Sequence, residues 1–327
     1  MLLCMITLLG TVLLDEFCWL GSDGSDARPR EVRLGGGGTY AAIGARVWTR
    51  DVRLVVDRGP DFPPEIQAQF DSLGAIWHYR DIATPTPRAL NTFRPPSTAR
   101  EFCYVTAPPG RSPEDLASDP TLASPTFVHL CCPPSSLEDL LPALSTLGRS
   151  PPQLIYEPIP FACVASSLPA LRRVLPHVRV FSPNHEEAEA LLALPEATST
   201  IADTAAIEQL AQRFRDEGAR DVVIRAGERG AFVLPEERRD GVWVKPYHSS
   251  SEGVKDTVGA GNSFLGGLMA GLAREDDLVE ATRYASVSAG IVVESVGLPA
   301  LTMGSDVDEE ELWNGRSARA RLNDMRR

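Results

Sequence analysis

The sequence predicts an α/β protein with a mainly parallel sheet, and three observations carry that prediction. Short apolar runs such as Leu54-Val55-Val56, Thr126 to Leu130 and Leu154 to Tyr156 alternate with amphipathic helical stretches, the rhythm of repeated βαβ units. A glycine-rich turn opens directly into an apolar helix between Asp256 and Leu272. A chain of 327 residues with 43% hydrophobic content can fill one large core and still carry a small appendage.

The turn and helix at Asp256 to Leu272 organise the rest. Gly259 and Gly261 tolerate backbone angles closed to other residues, while Phe264, Leu265, Leu268, Met269 and Leu272 follow the helical i, i+3, i+4 spacing. The first turn of a helix leaves about four N–H groups unpaired and carries roughly half a positive charge, so it stabilises an anion without any lysine. Asp256-Thr257 followed by Gly259-Ala260-Gly261 resembles the Asp-Thr-x-Gly-Ala-Gly-Asp signature of the PfkB (ribokinase-like) carbohydrate kinases. The run Gly261-Asn262-Ser263-Phe264-Leu265-Gly266-Gly267 is similar to the fungal maintenance-of-killer subgroup of that family. The resemblance implies a ribokinase-like three-layer α/β/α sandwich with a mainly parallel central sheet and a small β lid. It implies ATP and magnesium as cofactors, an anion hole at Gly259, Ala260 and Gly261, a substrate contact at Asp256 and a nucleotide contact at Thr257. Asn262 stands where the family has the aspartate that takes the proton from the substrate hydroxyl.

Composition narrows the partners. A net charge of −12 argues against nucleic acid or an anionic membrane, both of which need a basic face. The six cysteines include no Cys-x-x-Cys pair, so they read as reduced thiols in a cytoplasmic protein. The five histidines lack metal-site spacing, which argues against zinc. No Gly-x-x-x-x-Gly-Lys phosphate loop occurs.

In chain order, Met5 to Leu14 reads as a buried first strand, too short to span a bilayer. Asp15 follows it at the expected end of the strand, where ligands bind in open α/β sheets; the resemblance makes it a substrate-binding acid. Gly21 to Arg30 is a polar excursion. The glycines Gly35 to Gly38 then lead into a small-residue helix. A dinucleotide fingerprint fits poorly, because the third glycine is missing at its spacing. The run instead resembles the family's Gly-Gly-x-x-x-Asn segment, which makes Gly35 and Gly36 sugar contacts and puts Tyr40 at the asparagine's place. A ring there suggests stacking on a planar substrate, or plain packing. The proline-rich stretch from Ala83 to Val105 is assigned to the lid, so that about 16–34 and 83–106 form it within a domain covering 1–303.

Farther on, His129 lies inside an apolar strand and reads as a satisfied core histidine. Asn184-His185-Glu186-Glu187 opens an acidic helix. Acids in a first turn complement the helix dipole, while the resemblance to the family's Asn-x-x-Glu motif makes Asn184 and Glu187 magnesium and nucleotide residues. Asp221 to Leu234 forms two strands about Gly227-x-x-Gly230; by resemblance this hairpin borders the nucleotide, with Arg225 in place of a threonine, where it could reach phosphate or form a surface salt bridge. Leu278 to Val293 is a long small-residue helix. Residues 304–327, acidic then basic, read as a solvated charged tail.

Two functions follow. The first is an ATP- and magnesium-dependent phosphotransferase acting on a primary alcohol of a sugar or nucleoside, slowed because Asn262 cannot accept a proton. The second is a pseudo-kinase that binds nucleotide or sugar and acts as a regulator or scaffold. In either, the ligand is a small molecule, and the lid is the surface through which a homodimer would form.

Overall fold

The computed structural model describes residues 4–94, 100–109, 124–193, 204–275, 277–304 and 310–327. Along the chain run β1 (Ile6–Leu8), β2 (Leu13–Trp19), β3 (Glu31–Gly35), α1 (Gly37–Arg46), β4 (Val52–Arg58), α2 (Pro64–Ser72), β5 (Trp77–Asp81), β6 (Arg88–Phe93) and β7 (Arg100–Thr106). Next come β8 (Phe127–Cys132), α3 (Pro134–Leu144), β9 (Gln153–Pro158), α4 (Leu168–Val174), β10 (Val180–Phe181), α5 (His185–Leu191), α6 (Thr204–Asp216), β11 (Asp221–Arg225), β12 (Ala231–Leu234) and β13 (Val242–Val244). The chain closes with α7 (Ala260–Leu272), α8 (Leu278–Val293), β14 (Leu301–Met303), β15 (Glu311–Trp313), β16 (Arg316–Ser317) and α9 (Ala318–Met325).

A nine-stranded central sheet has the order β13-β12-β11-β10-β9-β8-β1-β4-β5, parallel from β11 to β5, with β12 and β13 added antiparallel at one edge. Its strands are apolar on both faces because helices cover both. One apolar layer joins the sheet to α1, α2, α7 and α8 through Ile43, Phe70, Leu265, Leu268 and Ile291. The other joins it to α3, α4, α5 and α6 through Leu137, Leu171, Leu191, Leu210 and Phe214. The fold is therefore the expected three-layer α/β/α sandwich. Strand order reverses between β1 and β8, and the crevice beyond the carboxyl ends of strands at such a point is where ligands bind in this architecture. No helix among the described residues is long and apolar enough to cross a membrane.

The first strand differs from the expectation. Met5 to Leu14 divides into β1 in the central sheet and the start of β2 in a second sheet. Gly10 lies at the break, where a Cβ would stand 2.6 Å from the Cα of Gly38, so α1 packs against bare backbone. Both segments are apolar because each is buried in its own sheet. That second sheet has the order β3-β2-β6-β7, with β2 and β6 parallel and the outer pairs antiparallel. Asp15 therefore lies within β2, carried by the small sheet instead of ending a core strand.

Residues 310–327 also differ from the solvated tail expected of them. β14, β15 and β16 make a three-stranded sheet, and Trp313 is fully buried. The charges that suggested solvation have partners: Arg46 is buried and binds Glu311 through both terminal nitrogens at 2.6 and 2.7 Å, and the buried Arg321 holds Glu294. Two-point guanidinium pairs of this kind let charge sit against a core.

Candidate active site

The turn before α7 is built as its glycines require. Gly259 is the N-cap residue in the left-handed region at φ 79°, and a Cβ there would stand 2.1 Å from the Tyr40 ring. Tyr40 is 3% exposed. Its ring is thus the floor of the turn, covered by Gly259, and not a stacking face for a planar substrate. Burial, with Asp256 and Asp15 nearby, pushes its hydroxyl up to about 12. The Ala260 and Ser263 N–H groups are held by Thr257 and Gly259 carbonyls. Between them, the Gly261 and Asn262 N–H groups meet no protein acceptor among the described residues, as the first turn of a helix leaves them.

Asn262 closes one side of this end. Its Nδ2 donates to Glu157 Oε1 at 2.5 Å, and a Cβ on Gly37 would stand 2.9 Å from the same nitrogen. The start of α1 thus presses on the Asn262 amide. Glu157, at the carboxyl end of β9, is a site residue that sequence reasoning missed. Its Oε1 also meets His129 Nε2 at 3.0 Å and its Oε2 meets Arg225 Nη2 at 3.0 Å. His129 is fully buried, as a core residue would be, but its partner belongs to the site. Burial alone would raise the Glu157 carboxyl; the Arg225 guanidinium, His129 and the Asn262 amide outweigh it and hold the group below the ordinary carboxylate value.

Asn184 and Glu187 face each other. The Asn184 side chain accepts from the Glu187 N–H at 2.8 Å, and the Glu187 carboxylate accepts from the Asn184 N–H at 2.7 Å, a reciprocal capping box on α5. The second interest of Glu187 is Arg225, whose Nη2 lies 3.3 Å from its Oε2. Burial raises the Glu187 carboxyl despite that contact. The oxygens expected to reach a magnesium ion thus close on each other and on a guanidinium, and among the described residues no group of three or more His, Cys, Asp or Glu side chains is placed for a metal. The residues present do not fit a directly held magnesium. Arg225 is fixed by its own backbone, which pairs with Asn184 and donates to the Pro183 carbonyl. Gly227 and Gly230 shape the following turn with φ 56° and 88°, and a Cβ on Gly230 would meet the Val244 carbonyl at 2.0 Å.

The other half of the site comes from the small sheet. Asp15 accepts from Asn91 Nδ2 at 3.3 Å, and its carboxylate lies so close over Gly35 that a Cβ there would be 1.7 Å away. Gly36, at φ 90°, caps α1 and approaches the Thr11 carbonyl. Asp15, Phe17 and Trp19 project from one face of β2, and Phe17, Trp19 and Phe93 form a plate of nearly parallel rings, 5.7–6.5 Å between centroids. Arg33 lies over Phe17 and reaches Asp256 at 3.9 Å. Asp256 accepts the Val258 N–H, forming a local turn, and Thr257 beside it is exposed. The structure thus sets Asp15 over Gly35, with Gly36 at the cap of α1 and the start of α1 against Asn262 at the α7 end, and it places Arg225 beside Gly261 with Asn184 and Glu187 joined to it.

The comparisons with known proteins bear on the family and the fold. The chain is 30% identical to an uncharacterized protein of Schizosaccharomyces pombe, over 88% of this chain and 85% of that protein. It is 29% identical to Protein MAK32 of Saccharomyces cerevisiae, over 81% and 78% of the two chains. The structure of Arabidopsis thaliana ribokinase complexed with ribose and ATP superimposes with a TM-score of 0.68, at 17% identity, over 99% of both chains, a likeness of fold. The model of the pfkB family carbohydrate kinases matches residues 25–302, and with the glycine turn, the helix end and the small sheet in their places, the chain belongs to the pfkB family of carbohydrate kinases.

Proposed function

We propose that the protein is an ATP-dependent phosphotransferase acting on a primary alcohol of a sugar or nucleoside. The observation that carries the reading is the contact between Asn262 Nδ2 and Glu157 Oε1, which returns a carboxylate to a base position that had lost its own. Family membership and the ATP and ribose held by the Arabidopsis neighbour support the choice of ligands. Phosphoryl transfer passes through a loose transition state governed by positioning and electrostatics. Here Asp15 and the Gly35-Gly36 backbone hold the alcohol, Asn262 Oδ1 accepts its O–H and orients the oxygen, and the Gly261 and Asn262 N–H groups receive the phosphoryl oxygens. As the alcohol oxygen forms its bond to phosphorus and the bond to the leaving ADP breaks, the hydroxyl proton goes to Asn262 Oδ1 while Nδ2 gives one to Glu157 Oε1, the amide passing through its imidic form. A carboxylate held below its usual value is a weak base, so the turnover is slow.

The second reading, a pseudo-kinase that binds ligands without turnover, is favoured by one observation: the residue at the base position is an amide. Transfer of labelled phosphate from ATP to a panel of sugars and nucleosides separates the two. The kinase reading expects turnover by the wild type and a loss of at least about 100-fold in Glu157→Gln, the low end of removing a general base. ATP binding without turnover in wild type, together with turnover in Asn262→Asp, would establish the binder instead.

A further inference from the structure

Two buried carboxylates, Glu157 and Glu187, converge at the N-terminal end of α7, and the group between them is the Arg225 guanidinium. Nη2 bridges them at 3.0 and 3.3 Å. Nη1 faces the anion hole: a Cβ on Gly261 would stand 2.2 Å from it, and it has no hydrogen-bond acceptor among the described residues. Nε is buried and likewise without a partner. A cation pinned by two acids, with a free Nη1 turned toward a helix end that lacks acceptors for two N–H groups, is half of a phosphate clamp.

We propose that Arg225 takes the place of a protein-held divalent cation in this site, neutralising Glu157 and Glu187 and presenting Nη1 to the phosphate chain of the nucleotide. The proposal rests on reading the α7 end as the phosphate site and goes beyond it by naming the charge that completes it. A guanidinium is always charged and matches phosphate oxygens in pairs, so it performs the charge neutralisation without a metal's coordination demands. With Arg225 in position, the acids have no free place for an ion. With a short neutral side chain there, they face each other bare and become a cation site.

The test is ATP binding by titration calorimetry to the full chain, in magnesium and in EDTA, for wild type, Arg225→Lys and Arg225→Thr, with thermal melting as the check that each variant folds. Manganese alone, followed by its electron spin resonance, reports the metal site without nucleotide. The expected result is a wild-type affinity that changes by less than about threefold on chelation, and an Arg225→Thr affinity that falls about tenfold or more in EDTA and recovers with magnesium, the scale of one charge-assisted pair. Arg225→Lys, a point charge without the fork, falls between them. Manganese is expected to bind Arg225→Thr and not wild type. Chelation that abolishes wild-type ATP binding as fully as it does in Arg225→Thr would overturn the proposal while leaving the phosphate site standing. Folded wild type that binds no ATP in either medium would remove both.

Discussion

In the proposed reaction the amide of Asn262, at the start of α7, stands at the base position, and the acid it touches, Glu157, comes from the end of β9. Substituting Asn262→Asp puts two carboxylates in contact, since Glu157 Oε1 already lies 2.5 Å from the side-chain nitrogen. Like charges at that distance share one proton, so the pair titrates together and its upper step moves above the ordinary carboxylate range. The expected outcome is a kcat about 100-fold higher than wild type, with an acid limb shifted to higher pH; a pH-rate profile checks both. A rise in kcat with an unshifted limb would show that Glu157 does not share the proton. The sequence displays Asp256 to Gly261 plainly, because turn, glycines and helix are neighbours in the chain. It hides Glu157, which is 105 residues from Asn262 and precedes a proline, so it reads as the end of a strand. It also hides the meaning of His129, whose isolation in an apolar run is real but whose partner comes from the next strand.

Among the elements, the turn before α7 is the most constrained. Gly259→Ala forces a Cβ into the Tyr40 ring at 2.1 Å while holding a left-handed φ of 79°. A loss of about 2 kcal/mol or more in denaturant titration is expected, together with weaker ATP binding. An unchanged stability would mean that Tyr40 yields freely. Tyr40 also shows why a substitution in a motif is hard to read: a ring in place of an amide suggested stacking, yet its neighbour in space is the backbone of Gly259, 219 positions further along the chain by their numbers. The division of Met5 to Leu14 was hidden for a related reason. Both halves are buried strands, and only the approach of Gly38 to Gly10 marks where one sheet gives way to the other.

For the whole molecule, the alternation of strands and helices was legible because each βα unit carries its own periodicity. The closing segment was not, because its ion pairs join residues as much as 265 positions apart. Glu311 lies beside Arg46 and Arg50, whose hydrogen bonds and charge lower its carboxyl from 4.5 to about 2. A depressed folded value contributes stability that is present above the unfolded value and lost as pH falls through the folded one. Stability is therefore expected to decline between about pH 4.5 and 2 from this source, and Glu311→Gln removes that part of the profile. The same substitution leaves the buried Arg46 without its counter-ion, at a cost of about 3 to 5 kcal/mol at neutral pH, measurable by urea unfolding. A variant as stable as wild type would show that the segment is held by Trp313 alone.

In the proposed reaction the acid that holds the alcohol, Asp15, rides on the small sheet, while the carboxylate that takes its proton, Glu157, ends a strand of the large one and reaches Asn262 at the start of α7. What is chosen and what is done to it are therefore written on separable surfaces. On that reading, substitutions along β2 and β6 redraw which alcohol is held while the transfer itself stays as it was, which gives such a scaffold latitude to acquire new customers without relearning its trade.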